Sequence, residues 1–263
     1  MHRCRPLPLL SAALLMAGES SLANPLPEKT QAAVTGLEKA WKTDPLTSRM
    51  VFPPFTPVAE ASRPLQSCPS APLSAPQALA LYCPDQGRIL IDRQWLDAIA
   101  TQFGSWDMAF WLATALGQAI AASSGQSSGQ QGVMAANLQA VCFGGTLLGQ
   151  APGLRPPSER SRLSAAFTAF PSRLNGVQGT PAQRSYALLT GLGGTASDCG
   201  AAAMANLAAG VVPDPERLRV LATNPDRSTG DGAIGSVIDA LCLPKPPLGC
   251  PRRLPQARVR SNP

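Results

Sequence analysis

The sequence predicts a mainly α-helical protein of the α+β class, stabilised by disulfides, with one short strand or hairpin. Apolar residues recur at helical spacing in segment after segment of the 263-residue chain. A short aliphatic run between charged ends, residues 88–92, predicts the strand. Of the 7 cysteines, all but Cys4 follow a segment typical of a secretion signal. An even number of cysteines in an exported chain favours disulfides.

Residues 1–23 have the features of a secretion signal. His2, Arg3 and Arg5 form a basic start, residues 7–17 are apolar, and small residues precede a cleavage site after Ala23. The apolar run is shorter than the roughly 20 residues that span a bilayer. No later segment is long and apolar enough to span one either. The sequence therefore predicts an exported protein, periplasmic or secreted, with no transmembrane segment after signal cleavage.

The first helix of the mature chain is predicted at residues 30–42. Val34, Leu37 and Trp41 fall on one face there, so the helix has a side to bury. Residues 44–72 follow, and their prolines predict an extended segment that runs over the surface.

A longer helix is predicted at residues 107–122. Leu112, Leu116 and Ile120 repeat every four residues and give this helix a buried stripe. Asp107 can serve as its N-cap or as an acid in its first turn, where a negative charge favours the helix dipole.

The same spacing predicts the other helices. Gly144 and Gly145 allow close packing or an early end, and Pro181 suits a first-turn position. A loop rich in glycine, serine and glutamine is predicted at residues 123–132. These other helices are predicted at residues 94–102, 133–148, 158–170, 181–192, 201–209, 215–222 and 233–241.

The six cysteines of the mature chain are Cys68, Cys83, Cys142, Cys199, Cys242 and Cys250. They fit three disulfides, and sequence alone leaves the pairing open. Cys68 and Cys83 bracket a short loop that a disulfide could close, and so do Cys242 and Cys250. Zinc binding by cysteine is disfavoured, because the chain contains no C-x-x-C pair.

Histidine chemistry is excluded by a single count. The chain has 1 histidine, His2, and signal cleavage removes it. The mature protein therefore cannot build a zinc site with histidine ligands, a Ser-His-Asp triad or a Cys-His dyad.

The net charge of +6 includes a basic excess near the end of the chain, at Lys245, Arg252, Arg253, Arg258 and Arg260. These residues lie among prolines, and no aromatic residue follows Tyr186 to stack on bases. We therefore expect a solvated tail and no nucleic-acid partner.

Several segments between residues 30 and 205 resemble, in order, the bacterial neutral zinc metallopeptidase family. The segments are Trp41 with Phe52-Pro53-Pro54-Phe55, Cys68 with Tyr82-Cys83-Pro84, Leu138-Gln139-Ala140 with Cys142-Phe143-Gly144-Gly145, and Gly179-Thr180-Pro181-Ala182-Gln183-Arg184. The resemblance implies a zincin-like helical scaffold. It also implies a former substrate groove beside residues 113–120 and 137–143.

The departures from that family fall on its chemistry. Where the family has the zinc-binding motif H-E-x-G-H-H, Thr114 and Gln118 replace the metal ligands and Ala115 replaces the general base. In the second motif, E-L-Q-A-D, Asn137 and Val141 replace the acidic residues. Hydroxyl and amide groups are poor zinc ligands, so we expect no metal, no other cofactor and no catalytic residue at these positions.

The resemblance divides the chain into four parts. After the signal peptide at residues 1–23, an N-terminal helix and proline-rich segment cover 24–67. A metallopeptidase-like domain covers 68–205, and a helical extension with the basic tail covers 206–263.

The function expected from these residues is binding without catalysis. A peptide or a protein of the bacterial cell envelope is the expected partner of this pseudopeptidase. One alternative is a hydrolase with a non-standard site that uses Asp107, Asp198 or a serine. The other is a purely structural envelope protein whose groove is filled by side chains. The aspartates Asp226, Asp231 and Asp239 lie in turn-like sequence and are expected to bond to the backbone.

Overall fold

A computed structural model describes residues 26–58, 67–69, 79–124, 132–155, 163, 165–166, 169 and 174–223. This part of the chain is mainly helical and carries a small three-stranded sheet. The helices are α1 (Glu28–Thr43), α2 (Arg93–Gln102), α3 (Ser105–Ser123), α4 (Val133–Gln150), α5 (Asn175–Gln178), α6 (Pro181–Gly193), α7 (Ala201–Ala208) and α8 (Pro215–Thr223). Short 3-10 helices cover Thr47–Arg49, Pro84–Gln86 and Ala196–Cys199.

The sheet has the strand order β1-β3-β2, where β1 is Phe55–Pro57, β2 is Ala80–Cys83 and β3 is Arg88–Ile91. Strands β2 and β3 form the predicted hairpin and pair antiparallel, whereas β1 pairs parallel with β3. The sequence predicted one strand or hairpin, so the third strand, β1, corrects that expectation. It was missed because it has only three residues and ends in Pro57, a residue that disfavours strands.

Local side-chain bonds fix where two of the helices begin. Asp92 precedes α2, and its carboxylate accepts the N–H of Trp95 at 3.1 Å. Thr180 and Gln183 form a capping box at the start of α6, each side chain accepting the other residue's backbone N–H. Pro181 occupies the first turn of α6, as predicted.

The hydrophobic core is continuous from α1 to α8 and surrounds α3. Its buried members run along the chain from Ala33 to Leu221. Helix α3 contacts α1, α2, α4 and β2, and α4 in turn packs on α6 and α7. Helix α3 therefore lies in the interior, and only a few of its side chains reach solvent.

Most predicted helices within the described ranges are confirmed, with ends that differ by a few residues. Asp107 lies in the first turn of α3, whereas Gly104 occupies the N-cap position. The signal peptide, the helix at 233–241, the basic tail and most of the segments 123–132 and 158–170 lie outside the described residues. Among the described helices, none combines the length and apolarity needed to cross a membrane.

Candidate functional site

Helix α3, which carries the segment compared above with the zinc-binding motif, is in direct backbone contact with α4. A Cβ atom built on Gly117 would lie 2.0 Å from the carbonyl oxygen of Ala140. A Cβ on Gly144 would lie 2.7 Å from the carbonyl oxygen of Ala113. Only glycine allows the two helices to approach this closely, which confirms the close packing predicted for Gly144.

Gln118 connects α3 to the sheet. Its Oε1 accepts the backbone N–H of Tyr82 at 2.9 Å. Strand β2 lies at the edge of the sheet formed by the described residues, so no described strand bonds this N–H. The Gln118 side chain thus supplies the missing acceptor.

Thr114, Ala115 and Val141 do not form a polar cluster. Ala115 and Val141 are buried in the core, with 0% and 3% of their surface exposed. Thr114 is partly exposed and lies on α3 where its backbone contacts Gly144. The stretches expected to border a former groove, 113–120 and 137–143, are largely buried against each other and against their neighbours.

The Asn137 side chain bonds to a different element from the one that Gln118 contacts. Its Nδ2 donates to the carbonyl oxygen of Val177, in α5, at 2.9 Å. Helices α3 and α4 are neighbours, but the amides of Gln118 and Asn137 hold two different elements, β2 and α5. Each of these substituted positions therefore has a structural role in the fold.

The cysteines of the described part form two disulfides. Cys68 bonds to Cys83, as their local spacing suggested, and Cys142 bonds to Cys199. The second disulfide joins α4 to the 3-10 helix at Ala196–Cys199. Gln139 strengthens this joint, because its Nε2 donates to the carbonyl oxygen of Cys199 at 3.0 Å. Cys242 and Cys250 lie outside the described residues.

The glutamine and arginine of the G-T-x-x-Q-R segment hold backbone groups. The Nε2 of Gln183 donates to the carbonyl oxygens of Leu207 and Ala208. Arg184 is fully buried, and its guanidinium donates to the carbonyl oxygens of Ala166 and Gly179. In this chain the motif connects the start of α6 to its surroundings and therefore stabilises the fold.

The acidic residues considered for an alternative site are dispersed. Asp107 is buried in the first turn of α3, whereas Asp198 is exposed next to Cys199. The backbone N–H and the hydroxyl of Thr195 both donate to Asp198, and these bonds hold the pKa of Asp198 below its ordinary value. Asp226, Asp231 and Asp239 lie outside the described residues. Among those described, no three His, Cys, Asp or Glu side chains are grouped so that they could hold a metal ion.

One buried acid, Asp44, was missed in the sequence. It follows α1, and its Oδ1 accepts the backbone N–H groups of Leu46 and Thr47. In a turn, an aspartate side chain commonly accepts the backbone N–H of the residue two positions later, so the backbone bonds of Asp44 could have been predicted. The bond from the Gln150 side chain to Oδ2 of Asp44 could not have been predicted, because the two residues are 106 positions apart.

Comparison with protein-family models, with curated proteins and with solved structures finds no match to this chain. The resemblance to zinc metallopeptidases, and the scaffold it implies, therefore remain predictions from the quoted motifs.

Proposed function

We propose that this protein is exported and catalytically inactive, and that it acts by binding a peptide or another envelope protein. The observation that carries the proposal is the bond from Tyr82 N–H to Gln118 Oε1. In the resembled family a metal ligand occupies this position. Here an amide occupies it and holds the edge strand β2.

The neighbouring positions support the same conclusion. Ala115, at the place of the general base, is fully buried and has no ionisable group. A carboxylate there would have to be desolvated inside the core, which costs several kcal/mol unless it is paired. The surroundings of α3 therefore favour packing over acid-base chemistry.

Export is supported by the two disulfides, which are typical of proteins in oxidising compartments. In a reducing cytoplasm, these thiols would be kept reduced. Four of the cysteines of the mature chain are also committed to disulfides and so are not free to bind a metal.

The two edge strands of the sheet have few free backbone groups with which a partner strand could pair. On β1, Val58 N–H donates to Ile91 and Pro54 accepts from Ile89, so the backbone polar groups of Phe55 and Pro57 point away from β3. Pro57 has no N–H to offer. At the opposite edge, Gln118 already takes the N–H of Tyr82. A partner is therefore better accommodated between helices and loops than along a sheet edge.

A peptide library tests both halves of the proposal. The oxidised mature protein is incubated with the library with and without added zinc, and cleavage is followed by mass spectrometry. Binding is measured on an array of the same peptides. We expect saturable binding of a subset and no cleavage. Zinc-dependent cleavage that a chelator abolishes would overturn the inactive assignment, and an array without saturable binding would overturn the binding role.

Two variants make the cleavage result specific. Asp107→Asn and Asp198→Asn each remove a carboxylate of the alternative hydrolase. Cleavage lost in either variant, with circular dichroism unchanged, would favour that alternative. Cleavage equal in the wild type and both variants, and insensitive to the chelator, would exclude these two carboxylates and leave a serine-based site or a contaminating peptidase, which a serine-reactive inhibitor followed by mass spectrometry of this chain distinguishes.

A further inference from the structure

A cavity of about 430 Å³ lies away from the substituted positions of α3 and α4. It forms where the end of α1, the end of α4 and the 3-10 helix Ala196–Cys199 meet. The polar groups on its walls belong to Asp44, Gln150, Thr195 and Ser197, and apolar surface is supplied by Pro45 and Leu46.

The Asp44 carboxylate is the charged group of this cavity. The residue is only 3% exposed. Its Oδ1 accepts N–H groups from Leu46 at 2.9 Å and Thr47 at 3.3 Å, and its Oδ2 accepts Gln150 Nε2 at 3.1 Å. Asp44 and Gln150, which the last of these bonds joins, both line the cavity.

The three described groups that donate to the Asp44 carboxylate are neutral. Within the described part of the chain, no lysine or arginine forms an ion pair with this carboxylate, and no basic residue lines the cavity. A buried carboxylate whose hydrogen-bond donors are all neutral still attracts a cation. A carboxylate oxygen can accept two hydrogen bonds, and Oδ2 accepts one from the described residues, so it can accept another. Among the described residues, the cavity therefore has a negative charge without a positive counterpart.

The remaining lining fits the other parts of a cationic ligand. Thr195 and Ser197 place their hydroxyls 2.6 Å apart, and hydroxyl oxygens can accept further N–H donors. Pro45 and Leu46 offer apolar surface, against which the methylene stem of a basic side chain can pack. An ammonium or guanidinium group on an aliphatic stem matches this combination of one carboxylate, neutral acceptors and an apolar wall.

We propose that the cavity between Asp44, Gln150, Thr195 and Ser197 binds the cationic head of a lysine or arginine side chain. The inference rests on the proposed binding function and names the chemistry that a peptide partner must present. In the bound state, the ligand's N–H groups donate to Asp44 Oδ2 and to the wall hydroxyls. Leu46 and Pro45 cover its stem.

The test uses three small probes with the full oxidised mature protein. They are the N-acetyl, N-methylamide derivatives of lysine, of arginine and of citrulline, the neutral isostere of arginine. Amide resonances are followed by two-dimensional NMR. We expect the lysine and arginine probes to shift the resonances of Leu46, Thr47 and Ala196 saturably. The citrulline probe should leave them unchanged, and the stronger cationic probe identifies the preferred head group.

Variants separate the charge from the shape of the cavity. Asp44→Asn keeps one acceptor oxygen for the backbone N–H groups but removes the charge, and we expect binding to weaken about tenfold or more. Asp85→Asn removes the same charge from an exposed residue outside the cavity and should leave binding unchanged. Ser197→Leu fills the cavity at an exposed position without altering charge, and it should also weaken binding.

Three outcomes would overturn the inference. They are equal shifts with the citrulline probe, equal affinities for Asp44→Asn and Asp85→Asn, and no saturable shift with either cationic probe. If Asp44→Asn fails to fold, Ser197→Leu and the citrulline probe still decide the question. A negative result here leaves the inactive assignment unaffected, because that depends on zinc and peptide cleavage.

Discussion

Gly117→Ala should separate α3 from α4 and destabilise the protein. The added methyl carbon would lie 2.0 Å from the carbonyl oxygen of Ala140, whereas ordinary contacts of this kind begin near 3.4 Å. Its nearest neighbours are all backbone atoms of Ala140, so no flexible side chain can turn away. The helices must therefore move apart by about 1 Å or more.

The size of the effect follows from two opposing contributions. A gap of about 0.5–1 Å forfeits a quarter to a half of each dispersion contact across the interface, and overpacking usually costs about 1–3 kcal/mol. Alanine regains about 1 kcal/mol of helix propensity. Because α3 and α4 share the most extensive helix contact among the described elements, we expect the overpacking cost to lie at the upper end of its range. The net loss is then about 2 kcal/mol.

Urea unfolding of the oxidised protein, followed by circular dichroism, measures this loss. Gly193→Ala is the matched control, because the same methyl group at the end of α6 meets nothing within 4 Å. We expect the control to be neutral or slightly stabilising. A Gly117→Ala variant as stable as the Gly193→Ala control would refute the close contact between α3 and α4.

Three further predictions concern the same framework. Gln118→Ala should destabilise the fold by about 1–3 kcal/mol and accelerate hydrogen exchange at the Tyr82 amide, because that N–H loses its acceptor. Gln118→Glu keeps an acceptor and should restore protection of this amide. Equal exchange in the wild type and both variants would contradict the bond. Gly191→Ala should lower the free energy of unfolding measured in urea, because its Cβ would lie 2.0 Å from the Cys142 carbonyl oxygen, where α6 packs on α4. Stability equal to the wild type would refute that contact. Replacing Cys142 and Cys199 together by serine should lower the free energy of unfolding by about 4 kcal/mol, and the same change at Cys68 and Cys83 by about 3 kcal/mol, because the Cys68–Cys83 disulfide closes a shorter loop. Calorimetry of both double variants measures the two losses. A larger loss for the Cys68 and Cys83 variant would contradict the loop argument.

The long helices could be predicted because their information is local. In α3, Leu112, Leu116 and Ile120 mark the buried stripe, and the observed ends lie within a few residues of those expected. The capping box of Thr180 and Gln183 was equally visible, since its spacing alone is diagnostic, but it was overlooked.

The features that were missed depend on distant partners. Strand β1 exists because β3, far along the chain, pairs with it. The bond between Gln118 and Tyr82 joins residues separated by 36 positions. The Cys142–Cys199 disulfide spans 57 positions, whereas Cys68–Cys83, which spacing did suggest, spans 15. Side-chain patterns report which face of an element is buried, but they do not identify the element that packs against it.

The same distinction applies to the candidate site. The sequence could indicate, through the resemblance alone, that Thr114, Ala115 and Gln118 stand where zinc metallopeptidases have their ligands and base. What these residues do could not be predicted from the sequence, because the role of Gln118 depends on β2 being an edge strand and that of Asn137 on the position of α5.

Zinc stoichiometry tests the central claim, that these positions maintain packing and bind no metal. The oxidised mature protein is loaded with excess zinc, passed through a desalting column and analysed by mass spectrometry for metal per chain. We expect zinc well below one ion per chain and no change in Gln118→Ala or in Asn137→Ala. One tightly bound zinc per chain, reduced by substitution of Gln118 or Asn137, would contradict the account.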